Sequence, residues 1–438
     1  NLIRIHRLSG TPITPKLLMN MYLKERRFSK SPLTKFIQRC FMNRLNEKTP
    51  PIHFIDHHKS HAASSFYSSG FKESAVLTVD GVGDGVCVAL WKGTNDGLEK
   101  INTAYHPNSL GKFYESFVGF IGLERGEGSY KMMGLAPYGK GKYGAKALEV
   151  FRNTLYVEDT EFKWKEKPTD SYFWFVERLQ GVRFDNLAWA LQTWVEELLL
   201  VWVKNCIAKY GINKLVFSGG VAMNIKAMGK IASLPEVEDL FVGGSASDES
   251  MAVSAGICLA EDLIRGKGEN WNSSTIHSLP NLYFGPEASF NDEEALLSKL
   301  DLSSYSVELD PSPQRIAGLL KEGKILGRCV GRMEFGQRSL GNRSILADPG
   351  DLRVKDKINA AIKNRDFWMP FAPVVMDKYV DQYLVNPKGI KSPYMTIGFD
   401  TTKEGYEAMI AACHPADRTA RPQILDRESN PKLYKILE

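Results

Sequence analysis

The chain has 438 residues, of which 43% are hydrophobic and 24% are charged. This composition is typical of a soluble globular protein and excludes disorder, collagen and a small disulfide scaffold, and the length predicts two or three domains. The net charge of +5 suits an anionic small ligand and does not by itself indicate nucleic acid. No apolar run approaches the ~18 residues that span a bilayer and no signal-peptide pattern occurs, so no membrane partner is predicted. The six scattered cysteines, without a CxxC pair, are expected to be buried, reduced thiols of a cytoplasmic protein.

The first predicted elements surround a glycine-rich turn. Ala75–Asp80 and Val86–Trp91 have the apolar, β-branched composition of strands. Gly81–Gly85 is predicted to be the turn between them.

Two strand–loop–helix units are predicted after a long amphipathic helix at 186–209, for which Asp185 or Asn186 is the expected cap. The units consist of strands Lys214–Phe217 and Asp239–Val242 and of helices that begin at about Ala222 and at Glu249. Such units imply an α/β domain whose ligands bind at the strand ends.

The second half of the chain begins with a change of composition. Residues 265–285 are rich in Gly, Asn, Ser and Pro and are predicted to be a linker. A helix from Asp292, a helix near Pro313–Glu322 and a strand Lys324–Val330 are predicted to follow.

Four of the eight histidines, His53, His57, His58 and His61, fall within nine residues. On a helix, His57 and His61 would face one side, a spacing with which two histidines bind one metal; the alternative is a polar surface or capping role. Asp80 ends a predicted strand and Asp248 lies in a loop that opens a helix. Together the four side chains would make a site of nitrogen and oxygen ligands suited to Fe(II), Mn or Zn. His53 is expected to belong to a preceding strand.

Glycine-rich loops follow two of the predicted strands. Glycines in Asp80–Gly85 would let backbone N–H groups approach a phosphate, although a tight hairpin turn explains them equally well. Ser218–Asn224, which contains Gly219 and Gly220, ends a strand and starts a helix, where N–H groups and the helix dipole favour a phosphate.

Basic residues in three later segments are candidates for anion binding. Lys131 would neutralise a phosphate or remain a solvated loop lysine. Arg338, Arg343, Lys363 and Arg365 lie among glycines, serines and prolines. They predict an anion cradle, because guanidinium groups match phosphate oxygens; the alternative is an exposed, salt-bridged surface.

Several linked motifs together resemble the O-carbamoyltransferase family, which includes nodulation enzymes and enzymes of antibiotic biosynthesis. The similarity extends from about residue 50 to the end of the chain. The motifs are His57-His-x-x-His-Ala-Ala-Ser64, Leu77-Thr-Val-Asp-Gly81, Tyr130-Lys-Met-Met-Gly-Leu-Ala-Pro-Tyr-Gly139, Ser218-Gly-Gly-Val-Ala-Met-Asn224 and Met333-Glu-Phe-Gly-Gln-Arg-Ser-Leu-Gly-Asn-Arg-Ser344.

The resemblance implies an α/β protein of two domains. Residues 1–275 are similar to the catalytic subunit of the tRNA threonylcarbamoyladenosine enzyme, which has the actin/sugar-kinase/heat-shock-chaperone (ribonuclease-H-like) fold, and residues 276–438 are similar to YrdC. In the family, the YrdC-like domain makes carbamoyl-adenylate from carbamoyl phosphate and ATP. The first domain, with a bound iron, passes the carbamoyl group to a hydroxyl of a small-molecule acceptor such as a natural product or a sugar.

The resemblance also implies roles for single residues. The metal ligands would be His57, His61, Asp80 and Asp248, and the catalytic residues His57, His61, Asp80 and Lys363. Cofactor binding would fall to Lys131, Gly219, Gly220, Arg338, Arg343, Lys363, Arg365 and Arg421. The expected cofactors are Fe(II) or another divalent metal and ATP, with Mg²⁺ a further candidate.

The chain departs from the family pattern in three places. It begins after the family's first strand-turn motif and stops at Glu438, before the family's Asn-Thr-Ser-Phe-Asn segment, so the sequence is expected to be incomplete or to lack these parts. Met369 stands where the family often has Arg, so that one phosphate contact is lost or is made by Arg365.

Two other classes share parts of these patterns. A threonylcarbamoyl-transfer enzyme acting on tRNA would also use the HxxxH pair, but the attached second domain and the modest charge argue against it. A non-catalytic nucleotide-binding module of the actin-like fold has no use for these histidines together with Asp80 and Asp248.

Overall fold

Five strands form one mixed sheet in the structure, a computed structural model that describes residues 53–124, 126–273, 276, 281–287, 297–301 and 303–438. The strands are β1 (Ser74–Gly83), β2 (Val86–Thr94), β3 (Gly97–Tyr105), β6 (Lys214–Ser218) and β7 (Asp239–Val242). Their order is β3-β2-β1-β6-β7, with β1, β2 and β3 antiparallel to their neighbours and with β6 and β7 parallel to β1. The predicted α/β class is confirmed as a mixed α/β fold.

The turn between β1 and β2 is shorter than predicted. β1 continues to Gly83, which pairs with Val86, so only Asp84 and Gly85 connect the strands. Both have positive φ, 53° and 82°, as a two-residue hairpin turn with the right-handed twist of the sheet requires.

Helices and small strands surround this sheet in chain order. In the first part they are α1 (His57–Ser69), α2 (Leu110–Phe120), α3 (Glu127–Leu135), α4 (Gly141–Arg152), β4 (Leu155–Glu158), β5 (Glu161–Trp164), α5 (Ser171–Leu179), α6 (Phe184–Tyr210), α7 (Ile225–Ala232) and α8 (Met251–Gly266). In the second part they are α9 (Pro313–Lys321), β8 (Leu326–Cys329), β9 (Arg343–Leu346), α10 (Leu352–Ile358), β10 (Val374–Met376), α11 (Val380–Tyr383), α12 (Lys403–Ala408), β11 (Gln423–Leu425) and α13 (Pro431–Leu437).

The long predicted helix is α6, but its predicted cap is wrong. The helix begins at Phe184, and Arg183 is the N-cap without a side-chain bond. Asn186 lies inside the helix, where its Oδ1 accepts the N–H of Lys140 at 2.9 Å. The side chain therefore joins α6 to the start of α4, a use that local sequence does not reveal.

Both strand–loop–helix units are present, with short 3-10 turns before their helices. Gly220–Met223 and Asp248–Ser250 form these turns. Helix α7 then begins at Ile225, where Asn224 accepts the N–H of Ala227. The predicted starts at Ala222 and Glu249 were each a few residues early, because the chain leaves the strand through a tight turn first.

Parts of the predicted linker are packed. Helix α8 extends to Gly266, Trp271 is buried against Tyr67 with ring centroids 6.1 Å apart, and Leu282 is also buried. The described residues of 265–285 are therefore not a free linker. The predicted helix from Asp292 begins outside the described residues, whereas α9 and β8 confirm the two elements predicted after it.

One cluster of buried side chains extends across the predicted boundary at 275/276. It contains Leu77, Trp194 and Phe217 from the first part, and Phe399 and Cys413 from the second. These belong to one compact unit, His57–Glu438. The division into domains 1–275 and 276–438 stays a prediction.

Four cysteines, Cys87, Cys206, Cys258 and Cys413, are buried as predicted, but Cys329 is exposed. Cys329 ends β8, in a two-stranded sheet that little else covers. Cys40 lies outside the described residues. No helix among the described residues is long and apolar enough to cross a membrane.

Candidate active site

His57 and His61 lie side by side at the start of α1. The helix begins at His57, whose backbone N–H donates to Asp84 Oδ2 at 2.9 Å. One helical turn separates the two imidazoles, whose centroids are 4.7 Å apart. Their Nε2 atoms are only 3.1 Å apart. Residues 53–56 have no regular structure, so the strand expected for His53 is absent there.

Asp80 brings a carboxylate from β1 to the same point. Its Oδ2 lies 3.1 Å from His57 Nε2 and 3.8 Å from His61 Nε2. Its Oδ1 accepts the N–H of Gly220 at 3.0 Å. Burial alone would raise the pKa of Asp80, but the hydrogen bond from His57, the charge of His61 and backbone N–H groups hold this pKa well below its usual range.

The glycines of the 218–220 loop are required by the closeness of β1. Gly219 has φ 89°, and a Cβ there would lie 2.3 Å from Val79 O; a Cβ on Gly220 would lie 2.9 Å from Asp80 Oδ1. In the structure these glycines let the backbone fix the Asp80 carboxylate. Their predicted role in nucleotide binding stays a prediction.

Asp248 completes the group from the turn before α8. Its Oδ1 lies 3.4 Å from His61 Nε2 and 3.8 Å from His57 Nε2, and the side chain is 66% exposed. One ligand atom from each of the four residues lies within 4.8 Å of the others. The structure thus brings together all four predicted metal ligands.

The four atoms fit a divalent ion. Ligands ~2.1 Å from a common ion in a tetrahedral arrangement lie about 3.4 Å apart, close to the distances between these nitrogen and oxygen atoms. Burial lowers the pKa of His57, but Asp80, Asp248 and Asp84 raise it overall, so the group stabilises a positive charge at its centre. Two imidazoles and two carboxylates are the ligand types preferred by Fe(II), Mn²⁺ and Zn²⁺.

His58 has a different role from its two neighbours. It is buried, its Nε2 is 3.1 Å from Val86 O and its Nδ1 is 2.8 Å from Thr78 Oγ1. Because a carbonyl only accepts, Nε2 carries the proton and Nδ1 accepts from Thr78. Burial lowers the pKa of His58 to about 4. His58 therefore fastens α1 to the β1–β2 hairpin and points away from the ligand atoms.

Three arginines of the second part come together beside Tyr130. Arg338 lies over the Tyr130 ring, with Cζ 5.4 Å from its centroid, and Arg365 donates to Pro370 O at 3.2 Å. Burial lowers the pKa of Arg338, Arg365 and Arg421, and the pKa of Arg421 is lowered further by the charges of the other two. Within the described part of the chain, no carboxylate forms an ion pair with any of the three. We call Arg338, Arg365 and Arg421 the arginine cluster.

The other predicted anion-binding residues have separate surroundings. Arg343 donates to the carbonyls of Val330 and Gly331 at 2.5 and 2.9 Å, so its guanidinium holds its own loop. Lys131 pairs with Asp366 at 2.9 Å. Lys363 is exposed at the end of a π-helical turn, Asn359–Lys363. Their roles towards phosphate stay predictions.

The loop that carries Arg338 is organised by a residue that sequence reasoning missed. Glu334 Oε1 accepts the N–H groups of Leu340, Asn342 and Arg343 at 3.0, 2.7 and 2.9 Å. Its position inside the Met333–Ser344 motif was visible in the sequence, but its backbone partners were not.

The arginine loop touches the loop that carries Asp248. A Cβ on Gly336 would lie 3.2 Å from Ser245 Cβ and 3.4 Å from Gly244 O. Trp368 Nε1 donates to Lys131 O at 3.1 Å, and Met369 packs where a Cβ on Gly134 would lie 2.8 Å from its Sδ. The 363–373 segment is therefore fixed against the segment after α2.

Comparison with known proteins assigns this arrangement to a class of transferases. Residues 17–257 match the family described as "Carbamoyltransferase N-terminus" and residues 317–438 match "Carbamoyltransferase C-terminus". The chain belongs to the carbamoyltransferase family, whose members include O-carbamoyltransferases.

Three relatives illustrate the range of the family. An uncharacterized protein of Methanocaldococcus jannaschii is 33% identical over 91% of this chain and 75% of its own length. Nodulation protein NolNO of Sinorhizobium fredii is 30% identical over 88% of the chain and 56% of its own length. The 3'-hydroxymethylcephem-O-carbamoyltransferase of Streptomyces clavuligerus is 27% identical over 51% of the chain and 39% of its own length.

Proposed function

We propose that the protein is an ATP-dependent O-carbamoyltransferase that makes carbamoyl-adenylate and transfers its carbamoyl group to a hydroxyl of a small molecule. The observation that carries the proposal is the convergence of His57, His61, Asp80 and Asp248 within 4.8 Å, in a chain of this family. The arginine cluster supports the use of a phosphorylated donor, because unpaired, partly desolvated guanidinium groups favour phosphate oxygens.

The strand order supports the actin-like assignment of the first part. A sheet in which three antiparallel strands are extended by two parallel ones, with the first strand central, is the arrangement expected for a ribonuclease-H-like domain. The YrdC-like assignment of the second part belongs to the same proposal and rests on the motif resemblance.

The proposed chemistry has two steps that balance. Carbamoyl phosphate, ATP and one water give carbamoyl-adenylate, pyrophosphate and phosphate. The acceptor oxygen then forms a bond to the carbamoyl carbon, the bond from that carbon to the AMP oxygen breaks, and the hydroxyl proton is released with AMP. The adenylate supplies a leaving group that the hydroxyl alone lacks.

The chain's own residues would divide these tasks. Arg338, Arg365 and Arg421 would hold phosphate oxygens, and Lys363, which is exposed, would add a mobile positive charge to the nucleotide. Asp80, fixed by Gly220, would orient His57 and the ion-binding atoms. A divalent ion held by His57, His61, Asp80 and Asp248, Fe(II) in the first instance, would polarise the carbamoyl carbonyl.

The acceptor is proposed to be a small molecule such as a natural product or a sugar. One relative carries out O-carbamoylation of a hydroxymethylcephem according to its name. The exposed Asp248 side chain leaves the ion-binding group open on one side, where a hydroxyl would enter.

Mass spectrometry of reaction products tests the proposal. The protein is given ATP, carbamoyl phosphate, Fe(II) and a library of hydroxyl acceptors, and we expect AMP, pyrophosphate and a product heavier than its acceptor by one carbamoyl group. Omission of carbamoyl phosphate is the control. Absence of both adenylate and product would contradict the proposal, and carbamoylation-linked binding of tRNA at physiological salt would favour the threonylcarbamoyl-transfer class instead.

A further inference from the structure

Glu249 follows the proposed metal ligand Asp248 directly and has no role in the function proposed so far. It lies in the 3-10 turn Asp248–Ser250 that precedes α8, and its side chain is half-buried. Its Oε1 is buried, and no hydrogen-bond donor reaches it among the described residues. A buried carboxylate oxygen without a donor is costly, because it has lost its water without replacement.

The charge of Glu249 acts on the arginine cluster. Burial lowers the pKa of Arg338 and Arg365 lowers it further, whereas Tyr130 and Glu249 act in the opposite direction. Burial raises the pKa of Tyr130, and Glu249 adds to that rise. Because Gly336 packs on Gly244 and Ser245, Glu249 lies where the Asp248 loop meets the Arg338 loop.

The ligand that fits this position has an anionic end and a donor end. A carboxylate only accepts hydrogen bonds, so Glu249 would repel a phosphate and attract an N–H or O–H group. A carbamoyl group joined to phosphate has both ends in one small unit: phosphate oxygens for arginines and an NH₂ group for a carboxylate. Carbamoyl phosphate and carbamoyl-adenylate share this unit.

We propose that Glu249 accepts a hydrogen bond from the NH₂ of the carbamoyl donor while Arg338 binds its phosphate, and that Glu249 thereby selects carbamoyl over acetyl donors. Acetyl phosphate has nearly the same shape, but it presents a methyl group to the carboxylate. A site built to bind a donor group rejects the analogue without it strongly, because the buried acceptor then stays unpaired. This inference rests on the proposed function.

Kinetics with matched donors test the role of Glu249. Pyrophosphate release from ATP is measured with carbamoyl phosphate as the donor, and acetyl phosphate is added as a competitor. We expect Glu249→Ala to lower kcat/KM for carbamoyl phosphate by about 100-fold, the scale of one lost hydrogen bond to a charged group. The inhibition constant of acetyl phosphate should change by less than about 3-fold or fall, since no hydrogen bond is lost.

Two further variants distinguish recognition from structure. Glu249→Gln keeps the shape and one acceptor oxygen, so it should recover at least about a tenth of the wild-type kcat/KM. Glu127→Gln is the matched control, since Glu127 is exposed and its charge acts on Arg365 from outside the Asp248 loop. It should keep wild-type discrimination.

The outcomes separate the two proposals. A wild-type protein that never uses carbamoyl phosphate refutes the proposed function. An active wild type refutes the inference in either of two cases: Glu249→Ala weakens carbamoyl phosphate and acetyl phosphate equally, or it leaves both unchanged. Should Glu249→Ala be unfolded by circular dichroism, Glu249→Gln decides alone: wild-type discrimination or equal loss for both donors overturns the role of Glu249, whereas loss confined to carbamoyl phosphate supports it.

Discussion

Adjacent histidines take opposite roles at the residue scale. His57 and His61 direct their Nε2 atoms to Asp80 and Asp248, whereas His58, between them, is bound to the hairpin by Thr78 and Val86. Helix geometry explains the difference, since residues four apart share a face and the neighbour at one position does not. The cluster is thus two ligand candidates and one structural anchor.

Replacement of a ligand histidine should remove both metal and transfer. His57→Ala is expected to lower bound metal below stoichiometry and to slow transfer by more than ~100-fold, because even the loss of an outer partner of a metal ligand costs ~10–100-fold. Metal analysis and transfer from supplied carbamoyl-adenylate measure both effects. His53→Ala, an exposed histidine of the same cluster, is the control, and full transfer by metal-free His57→Ala would refute the role of the ion.

Lys363 should affect only the formation of the adenylate. Its side chain is exposed and belongs to the turn after α10, not to the ion-binding group. Lys363→Ala is expected to lower pyrophosphate release from ATP and carbamoyl phosphate by more than about 10-fold, as loss of a charge-assisted phosphate contact does. Transfer from supplied carbamoyl-adenylate should persist, and loss of both activities in a folded variant would contradict this division.

At the scale of elements, an ion pair holds the two helices that carry the proposed ligands. Lys59 of α1 lies 3.2 Å from Glu261 and 3.1 Å from Asp262, both on α8. Glu261 is buried and also pairs with Arg265. The pair therefore fixes the distance from His57 and His61 to the turn that carries Asp248.

Loss of the Lys59 charge should weaken the packing of α1 on α8. Lys59→Met is expected to lower the free energy of unfolding by ~1–3 kcal/mol, because Glu261 keeps a buried charge with one partner fewer. Urea unfolding measures the change, and metal affinity should fall with it. Lys59→Arg, which keeps the charge, should be close to wild type; equal destabilisation by both variants would rule out the ion pair as the cause.

At the scale of the whole molecule, a polar network joins segments that are distant in sequence. Asp417 pairs with Lys226 at the start of α7 and lies 3.3 Å from His414 Nδ1. The Nε2 of His414 contacts Gly134 O at 2.7 Å. The network therefore connects the segment before Arg421 to both glycine-containing motifs of the first part.

The Asp417 network should make stability depend on pH. Burial raises the pKa of Asp417, but His414 and Lys226 hold it well below its usual range. A depressed folded-state pKa contributes stability above the unfolded value of ~3.9, which is lost as the pH falls towards the folded one. Asp417→Asn is therefore expected to cost on the order of 1–2 kcal/mol at pH 7.

Unfolding experiments at two pH values check this sign. The difference in unfolding free energy between wild type and Asp417→Asn should shrink at pH 3, and Asp356→Asn, an exposed carboxylate on α10, should show little difference at either pH. A cost that is the same at pH 3 and pH 7 would mean that ionisation of Asp417 is not its source.

Local patterns in the sequence determined the strands β1, β2, β6 and β7, the helix that starts at His57, and the i, i+4 spacing of two ligand candidates. These features depend on the periods of single elements, which the chain carries wherever it folds. The family motifs also pointed to Asp80, Asp248 and the basic residues.

Only the tertiary structure decided how those residues meet. The pairing of β6 with β1 places Gly220 on Asp80, and the contact of Gly336 with Gly244 sets Glu249 beside Arg338. It also assigned Arg343 to carbonyls and Lys131 to Asp366, although all the basic residues look alike in sequence. Distances between segments more than a hundred residues apart come from packing and strand pairing, which no local pattern encodes.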